Sequence, residues 1–415
     1  MTTKRELGAM IDRDREEIID FLCRFVRAPS PNPPGDTREA TAVITAFLDR
    51  HGLPWRTVAP VLEWPNVLGT FSCAREGKHL VLNGHIDVFP VDETEAWAHA
   101  PWSGAIADGK IWGRGVTDMK AGTAAMIMTY RYLHALRAEL AGKLTLTCVS
   151  DEETFGPFGA RWLVANEPEV LGDCVLNGEP SSPFTIRFGE KAPLWLRFTV
   201  RTPGAHGAYT HLSESATITA ARLICDLQAI TGDAVAPPGR IGEALAEGAE
   251  AADRAMGAGA ADTVQRYTLN IGTIQGGLKV NMIPGSCSFE ADFRLPVGGR
   301  KEELLSRIAS VLARYPSVTM EELNFTEPAA CDPFHEMVGF MRENAKAVSG
   351  IEPRPILSLG GSDARLWRQR GIPAFIYGPH PRGMGQRDEN VDIEEYLHVV
   401  KVHVLSAFDY LGGAR

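Results

Sequence analysis

The stretch His79-Leu80-Val81-Leu82-Asn83-Gly84-His85-Ile86-Asp87 decides how the rest of the chain is read. Its short apolar run, bounded by polar residues, has the length and composition of a buried strand. An imidazole and a carboxylate follow directly, two residues apart, and in extended backbone residues i and i+2 point the same way. Open α/β sheets collect ligands beyond the carboxyl ends of their strands. His85 is therefore placed as a metal ligand. Asp87 is expected to accept a hydrogen bond from the ring nitrogen turned away from the metal, fixing the tautomer. Taken alone, the pair also reads as a solvent-facing strand end.

Working outward, the same arrangement recurs. Upstream, the spacing of apolar residues predicts a helix over Ile11–Arg27, stopped by Pro29, and another over Ala40–His51, closed by Gly52. Downstream come Lys110-Ile111-Trp112-Gly113, a helix over Ala121–Leu140 and a buried strand over Leu144–Val149. That strand runs into Ser150-Asp151-Glu152-Glu153. Adjacent carboxylates repel, and a buried pair needs a cation or a shared proton. A metal supplies the cation through one of the pair and leaves the other free to take a proton from metal-bound water. Asp118, after Gly113-Arg114-Gly115, opens the next helix, where its two oxygens can bridge two cations or simply cap the helix. Glu179, in Gly178-Glu179-Pro180, follows the apolar run Cys174-Val175-Leu176. Each motif alone has an ordinary reading as an acidic loop or a cap. Four of them, all at strand ends or helix starts of one α/β unit, favour a common metal site.

Around residue 186 the texture changes. Leu194–Arg201 alternates as a half-exposed strand, Ala216–Ile230 reads as a helix, and Thr231–Ala261 as a helical or loose Ala/Gly-rich insertion on the surface. Strands over Tyr267–Ile274 and Ser286–Arg294, a helix over Glu302–Tyr315 and a strand over Ser317–Asn324 complete a split βαβ, ferredoxin-like pattern. The α/β pattern then resumes with a helix at Phe334–Ser349 and a strand at Pro373–Tyr377. The predicted class is α/β. A mixed, mainly parallel catalytic sheet occupies 1–186 and 327–415, and an α+β lid or dimerisation domain is inserted at 187–326.

The bulk composition narrows the function. The 415 residues carry 42 basic and 52 acidic side chains, a net charge of -10, which argues against nucleic-acid or anionic-membrane partners. No run of about 18 apolar residues is present. Met1–Arg27 lacks the apolar core of a secretion signal, and the seven scattered cysteines form no C-x-x-C pair. A cytoplasmic protein is expected.

In order and spacing, the motifs around His85, Asp118, Glu152-Glu153 and Glu179 resemble those of the co-catalytic metallopeptidases. That family includes glutamate carboxypeptidase, aminoacylase, acetylornithine deacetylase and succinyl-diaminopimelate desuccinylase. The resemblance extends over Gly204-Ala205-His206-Gly207, Gly276–Pro284 and Asp292-Phe293-Arg294. It implies one metal on His85, Asp118 and Glu179, and a second on Asp118, Glu153 and a late histidine, the ions being Zn, Mn or Co. It implies Glu152 as base, with His206, reaching across a homodimer, Asn281 and Arg294 binding a carboxylate-bearing small molecule.

The last motif departs from the pattern. Counting back from Asp388-Glu389, the position of the late histidine falls on Gly385. His380 is the nearest replacement, and Arg382 stands where it would disfavour a second dication or would bind a substrate anion. One or two metals per chain therefore remain open. So does the reaction: hydrolysis of an N-acyl amino acid or dipeptide-like amide, hydrolytic deamination of an aromatic amine such as 5-nitroanthranilate, or, in a different class, a non-catalytic small-molecule binder.

Overall fold

The computed structural model describes residues 2–92, 94 and 96–413. Its largest sheet has nine strands and is mixed. At its centre Arg75–His85 runs parallel to Ala141–Val149 on one side and to Cys174–Asn177 on the other. Cys174–Asn177 is in turn parallel to Ala374–Ile376, and Arg354–Ser358 is parallel to Thr185–Glu190. The registers align the carboxyl ends: His85 lies opposite Val149, Asn83 opposite Asn177, and Asn177 opposite Ile376. The loops bearing Glu152, Glu179 and His380 therefore leave the sheet along the same edge as His85. These strands are nearly continuous apolar runs because helices cover both faces. Ala121–Ala135 and Ile393–Tyr410 pack on one side, and Trp367 with Leu163 fills the other.

The second sheet orders its strands Thr268–Gly276, Ser286–Leu295, Ala192–Arg201 and Val318–Phe325, all antiparallel, with helices Ala216–Ala229 and Lys301–Leu312 on one face. Strict alternation along Ala192–Arg201 and Ser286–Leu295 buries Leu194, Leu196, Phe198 and Val200 against Phe289, Ala291 and Phe293 in a separate core.

Two expectations need correction. The helix read over Ile11–Arg27 is two helices, Lys4–Arg13 and Arg15–Arg27. They break at Asp14, whose carboxylate accepts hydrogen bonds from Tyr132 and Arg131. The insertion at 231–261 takes the helical of its two expected forms, but it is not confined to the surface. Its helix Ile241–Met256 docks on strand Arg354–Ser358 of the large sheet, with Ala244 and Leu245 in the large core. Gly248 makes this possible, since a Cβ there would lie 2.5 Å from the Pro355 carbonyl oxygen. Its small residues permit a close approach that composition alone presents as flexibility.

Candidate active site

His85 is fully enclosed at the end of its strand. Its Nδ1 lies 2.8 Å from the Asp87 carbonyl oxygen. A carbonyl only accepts, so Nδ1 carries a proton, and the ring, once its other proton is displaced, presents a lone pair at Nε2. That atom faces Asp118 Oδ1 at 3.2 Å and Glu179 Oε1 at 3.5 Å. The tautomer is as expected, but its cause is different. The Asp87 carboxylate stands 3.6 Å from Nδ1 and instead accepts the backbone N–H groups of Glu152 (3.2 Å) and Glu153 (3.1 Å) and the side-chain amide of Asn32 (2.9 Å). Backbone curvature after the strand turns the carbonyl, rather than the side chain, toward the ring. Asp87 thus holds the loop that carries the two glutamates.

Asp118 is aimed by a residue the sequence reading left without a role. Buried Glu389 accepts from the N–H groups of Gly115 (3.1 Å), Thr117 (2.9 Å) and Asp118 (3.2 Å), and from Arg114 Nη1 (2.8 Å). Glu179 is brought in by a close backbone crossing. Gly122, at the start of the helix after Asp118, lies so near Gly178 that an added Cβ would sit 1.8 Å from the Gly178 carbonyl oxygen. His85, Glu152 and Glu179 form one cluster with donor atoms within 4.8 Å of one another, and His85, Asp118 and Glu153 form another.

The electrostatics follow from this crowding. Burial, then the nearness of other carboxylates, pushes Glu153 and Glu179 well above the usual carboxylate range, while His85 lowers them. Glu152 is pushed up to about 8 by burial, against the His85 contribution, with Asp363 raising it further. Burial opposes charge on His85, yet Glu179, Asp118, Asp87 and Glu152 together hold its pKa well above 6.5. Glu153 Oε1 is buried and has no hydrogen-bond partner. One imidazole lone pair, several carboxylates and an orphaned carboxylate oxygen in a closed site fit a divalent cation of the Zn, Mn or Co type.

A cavity of about 560 Å³ opens onto this cluster. Its walls include Asp118, Glu152, Glu153 and Glu179 from the large sheet, Arg294 from the second sheet, and Met256 from the docked helix. Arg294 is within ion-pairing distance of Asp292 (2.9 Å).

Other expected residues lie elsewhere. His380 belongs to neither donor cluster. Burial and the neighbouring Arg382, Arg254 and Arg187 lower its pKa, although it is hydrogen-bonded to the Arg254 backbone, and its own N–H donates to Glu395. A cationic surrounding is a poor place for a metal ligand, so the displaced-ligand expectation is not supported. Arg382 is exposed and off the cavity wall. His206, in a short two-stranded pairing with Met282–Ile283, and Asn281, in the turn before it, are exposed on the inserted unit and do not line this chain's cavity. The reading also missed Asp363, after Gly360-Gly361-Ser362, which burial raises to about 6 beside Arg365 and His85. An acidic residue behind a Gly-Gly turn after the Arg354–Ser358 strand was the available signal.

An imidazole and four carboxylates gathered at the carboxyl edge of a mixed sheet, with a second sheet overhanging the same cavity, define a metal-dependent hydrolase. Residues 81–408 match Peptidase family M20/M25/M40, and the chain belongs to that family, whose members hydrolyse amide C–N bonds; it is such an enzyme. Among curated relatives, it is 28% identical to succinyl-diaminopimelate desuccinylase of Cereibacter sphaeroides over 358 residues, covering 83% of this chain and 87% of that one. It is also 28% identical to the same-named enzyme of Methylorubrum extorquens over 407 residues, covering 92% and 97%. Among solved structures, a metallo-carboxypeptidase from Sulfolobus solfataricus superposes with a TM-score of 0.81 at 21% identity, covering 95% of this chain and 99% of that one. Human carnosine dipeptidase 1 gives 0.76 at 18% identity, covering 99% of each chain.

Proposed function

We propose that the protein hydrolyses the amide of a small carboxylate-bearing substrate, an N-acyl amino acid or a dipeptide-like compound, with Glu152 as general base. The observation carrying this is the convergence of His85, Asp118, Glu152, Glu153 and Glu179 on one cavity. His85, Asp118 and Glu179 would hold one divalent cation, and Glu153 with Asp118 would offer part of a second site. When bound, the ion supplies Lewis acidity to the scissile carbonyl and the attacking water. Glu152 takes the proton of that water and returns it to the departing nitrogen. Its pKa near 8 belongs to the metal-free site, and a neighbouring dication favours the ionised base. Arg294 orients the substrate carboxylate by a charge-assisted hydrogen bond.

A second copy of the chain completes the site in this reading. The Nδ1 of His206 accepts the Ala208 N–H at 3.2 Å, so the neutral ring carries its proton on Nε2, a donor suited to a developing oxyanion. Around it the inserted unit, taken as 187–326, exposes Val280 fully and Leu278 at 92%, with Ile218 and Ile274 at 54% each. An apolar face of this kind fits a homodimer interface. No described helix is long and apolar enough to cross a membrane, and the free thiols suit a reducing cytoplasm. The names of the relatives favour amides over aromatic amines.

The deciding experiment measures tightly bound metal per chain by elemental analysis, then hydrolysis of an N-acyl amino acid panel beside ammonia release from aromatic amines. Amide cleavage that needs the metal supports the reading. Metal-dependent ammonia release without amide cleavage replaces it with the deaminase, and a folded protein that binds no metal refutes both.

A further inference from the structure

The two sheets are joined at Lys191, the single residue between the strand Thr185–Glu190 of the large sheet and the strand Ala192–Arg201 of the second. Its backbone N–H still belongs to the large sheet, donating to the Ser358 carbonyl at 3.0 Å. Its side chain turns to the inserted unit. Lys191 is 1% exposed, and its ammonium donates to the carbonyls of Thr263 (3.1 Å) and Arg266 (2.6 Å) and to Thr268 Oγ1 (3.0 Å). An ammonium has three donors, and here all of them go to uncharged oxygens. Holding a buried charge on such acceptors is costly. Burial accordingly lowers its pKa to about 8, with Arg294 lowering it further and Asp292 opposing. An aliphatic side chain would fill the same space at smaller cost. What the lysine adds is that it draws three points of one segment to the junction.

That segment borders the cavity wall. Residues 263–268 lead from the docked helix Ile241–Met256, which carries Met256 into the wall, back to the edge strand Thr268–Gly276. Within the second sheet Thr268 lies opposite Arg294 on one side, and Pro193, two residues after Lys191, lies opposite it on the other. Arg294 therefore stands between two neighbours, one hydrogen-bonded to Lys191 and one tethered to it along the backbone. We propose that Lys191 is a positioning residue, pinning residues 263–268 to the junction of the sheets and so fixing where Arg294 stands over the His85 cluster. The proposal rests on the amide-hydrolase reading, in which Arg294 takes the substrate carboxylate. Lys191 does not line the cavity and acts through Arg294.

The test measures binding of N-acetylated amino acids by calorimetry to the metal-loaded protein carrying Glu152→Gln, so that turnover does not intrude. Lys191→Met keeps the buried stem and removes all three donors. It should weaken binding by about 10- to 100-fold with metal content unchanged, the scale of a misplaced orienting group. In an Arg294→Gln background the same substitution should cost less than about threefold, because the residue it positions is gone. Lys191→Arg, which keeps a charge and donors, should recover part of the loss. Where Lys191→Met does not fold, Thr268→Val removes one contact and leaves the lysine. It should then show a loss of about 3- to 10-fold with the same dependence on Arg294. Unchanged binding in the variant that folds overturns the proposal, and so do equal losses with and without Arg294, which mark a purely structural role. Turnover of the same compounds with Glu152 restored separates the two readings. Losses coupled to Arg294 without amide cleavage sink only the reaction, whereas cleavage with equal losses in both backgrounds sinks only the positioning role.

Discussion

Replacing Glu389 by Gln should release the loop that aims Asp118. Both carboxylate oxygens of Glu389 are used twice, Oε1 by the N–H groups of Thr117 and Asp118, Oε2 by Gly115 N and Arg114 Nη1. Glutamine has the same shape but only one accepting oxygen. Two of the four hydrogen bonds are therefore lost, and its NH2 group is pressed against two other donors. At about 1.5–3 kcal/mol for each bond to a charged acceptor, the loss comes to about 3–6 kcal/mol, partly relieved by movement of the loop. That movement displaces Asp118, and disturbing a residue that orients a ligand typically weakens metal binding by about 10- to 100-fold. The assay is chelator competition for bound metal, with urea unfolding midpoints compared at fixed metal concentration. Glu394→Gln serves as control, because Glu394 pairs with Arg15 at the surface and is 74% exposed there. Metal affinity within about twofold of wild type and an unchanged midpoint in Glu389→Gln would refute the argument that this carboxylate positions Asp118.

Four further outcomes are expected. Gly122→Ala places a methyl group 1.8 Å from the Gly178 oxygen and should push Asp118 and Glu179 apart, lowering metal content and turnover together. Gly8→Ala, with nothing within 4 Å, should slightly stabilise its helix and leave both unchanged. Glu152→Gln should keep its metal and lose turnover by about 10²- to 10⁴-fold; near-normal turnover would remove Glu152 as the base. Metal loading should strengthen as pH rises above the usual carboxylate range. In the metal-free site burial raises Glu152, Glu153 and Glu179, so these groups hold protons that the ion must displace. Calorimetry in buffers of differing ionisation enthalpy should show proton release, and pH-independent affinity would contradict the shifts.

Much of the site could be read from the chain because its chemistry is tied to strand ends. A residue that follows an apolar run in a parallel sheet must emerge at the carboxyl edge, and His85, Glu152 and Glu179 do so in register. What could not be read are the contacts that aim these residues. Asp87 was recognised but given the wrong partner, since spacing in an ideal strand does not foresee the turn that brings its carbonyl to His85. Glu389 reaches Asp118 across about 270 residues, and no local pattern reports such a pairing. The packing of the insertion at 231–261 was missed for a related reason. Alanine and glycine mark flexibility in isolation, but against Pro355 they mark close packing.

Gly385 shows how sequence and structure answer different questions. The sequence shows only that an imidazole is missing from its usual place. In the structure, Gly385 has φ +71°, a left-handed conformation that favours glycine, and a Cβ there would lie 3.3 Å from the Phe89 ring. The change is therefore more than the loss of one side chain, because the loop has settled into a form that a histidine would strain. Phe89 and Met384 add apolar surface to this part of the cavity wall. A second cation would find Asp118 and Glu153 with His85 as the imidazole of that cluster, and the late histidine the chain does carry, His380, is surrounded by arginines. On the reading proposed above, metal binding would therefore lean on the His85, Asp118 and Glu179 set, with Glu153 left for a second ion.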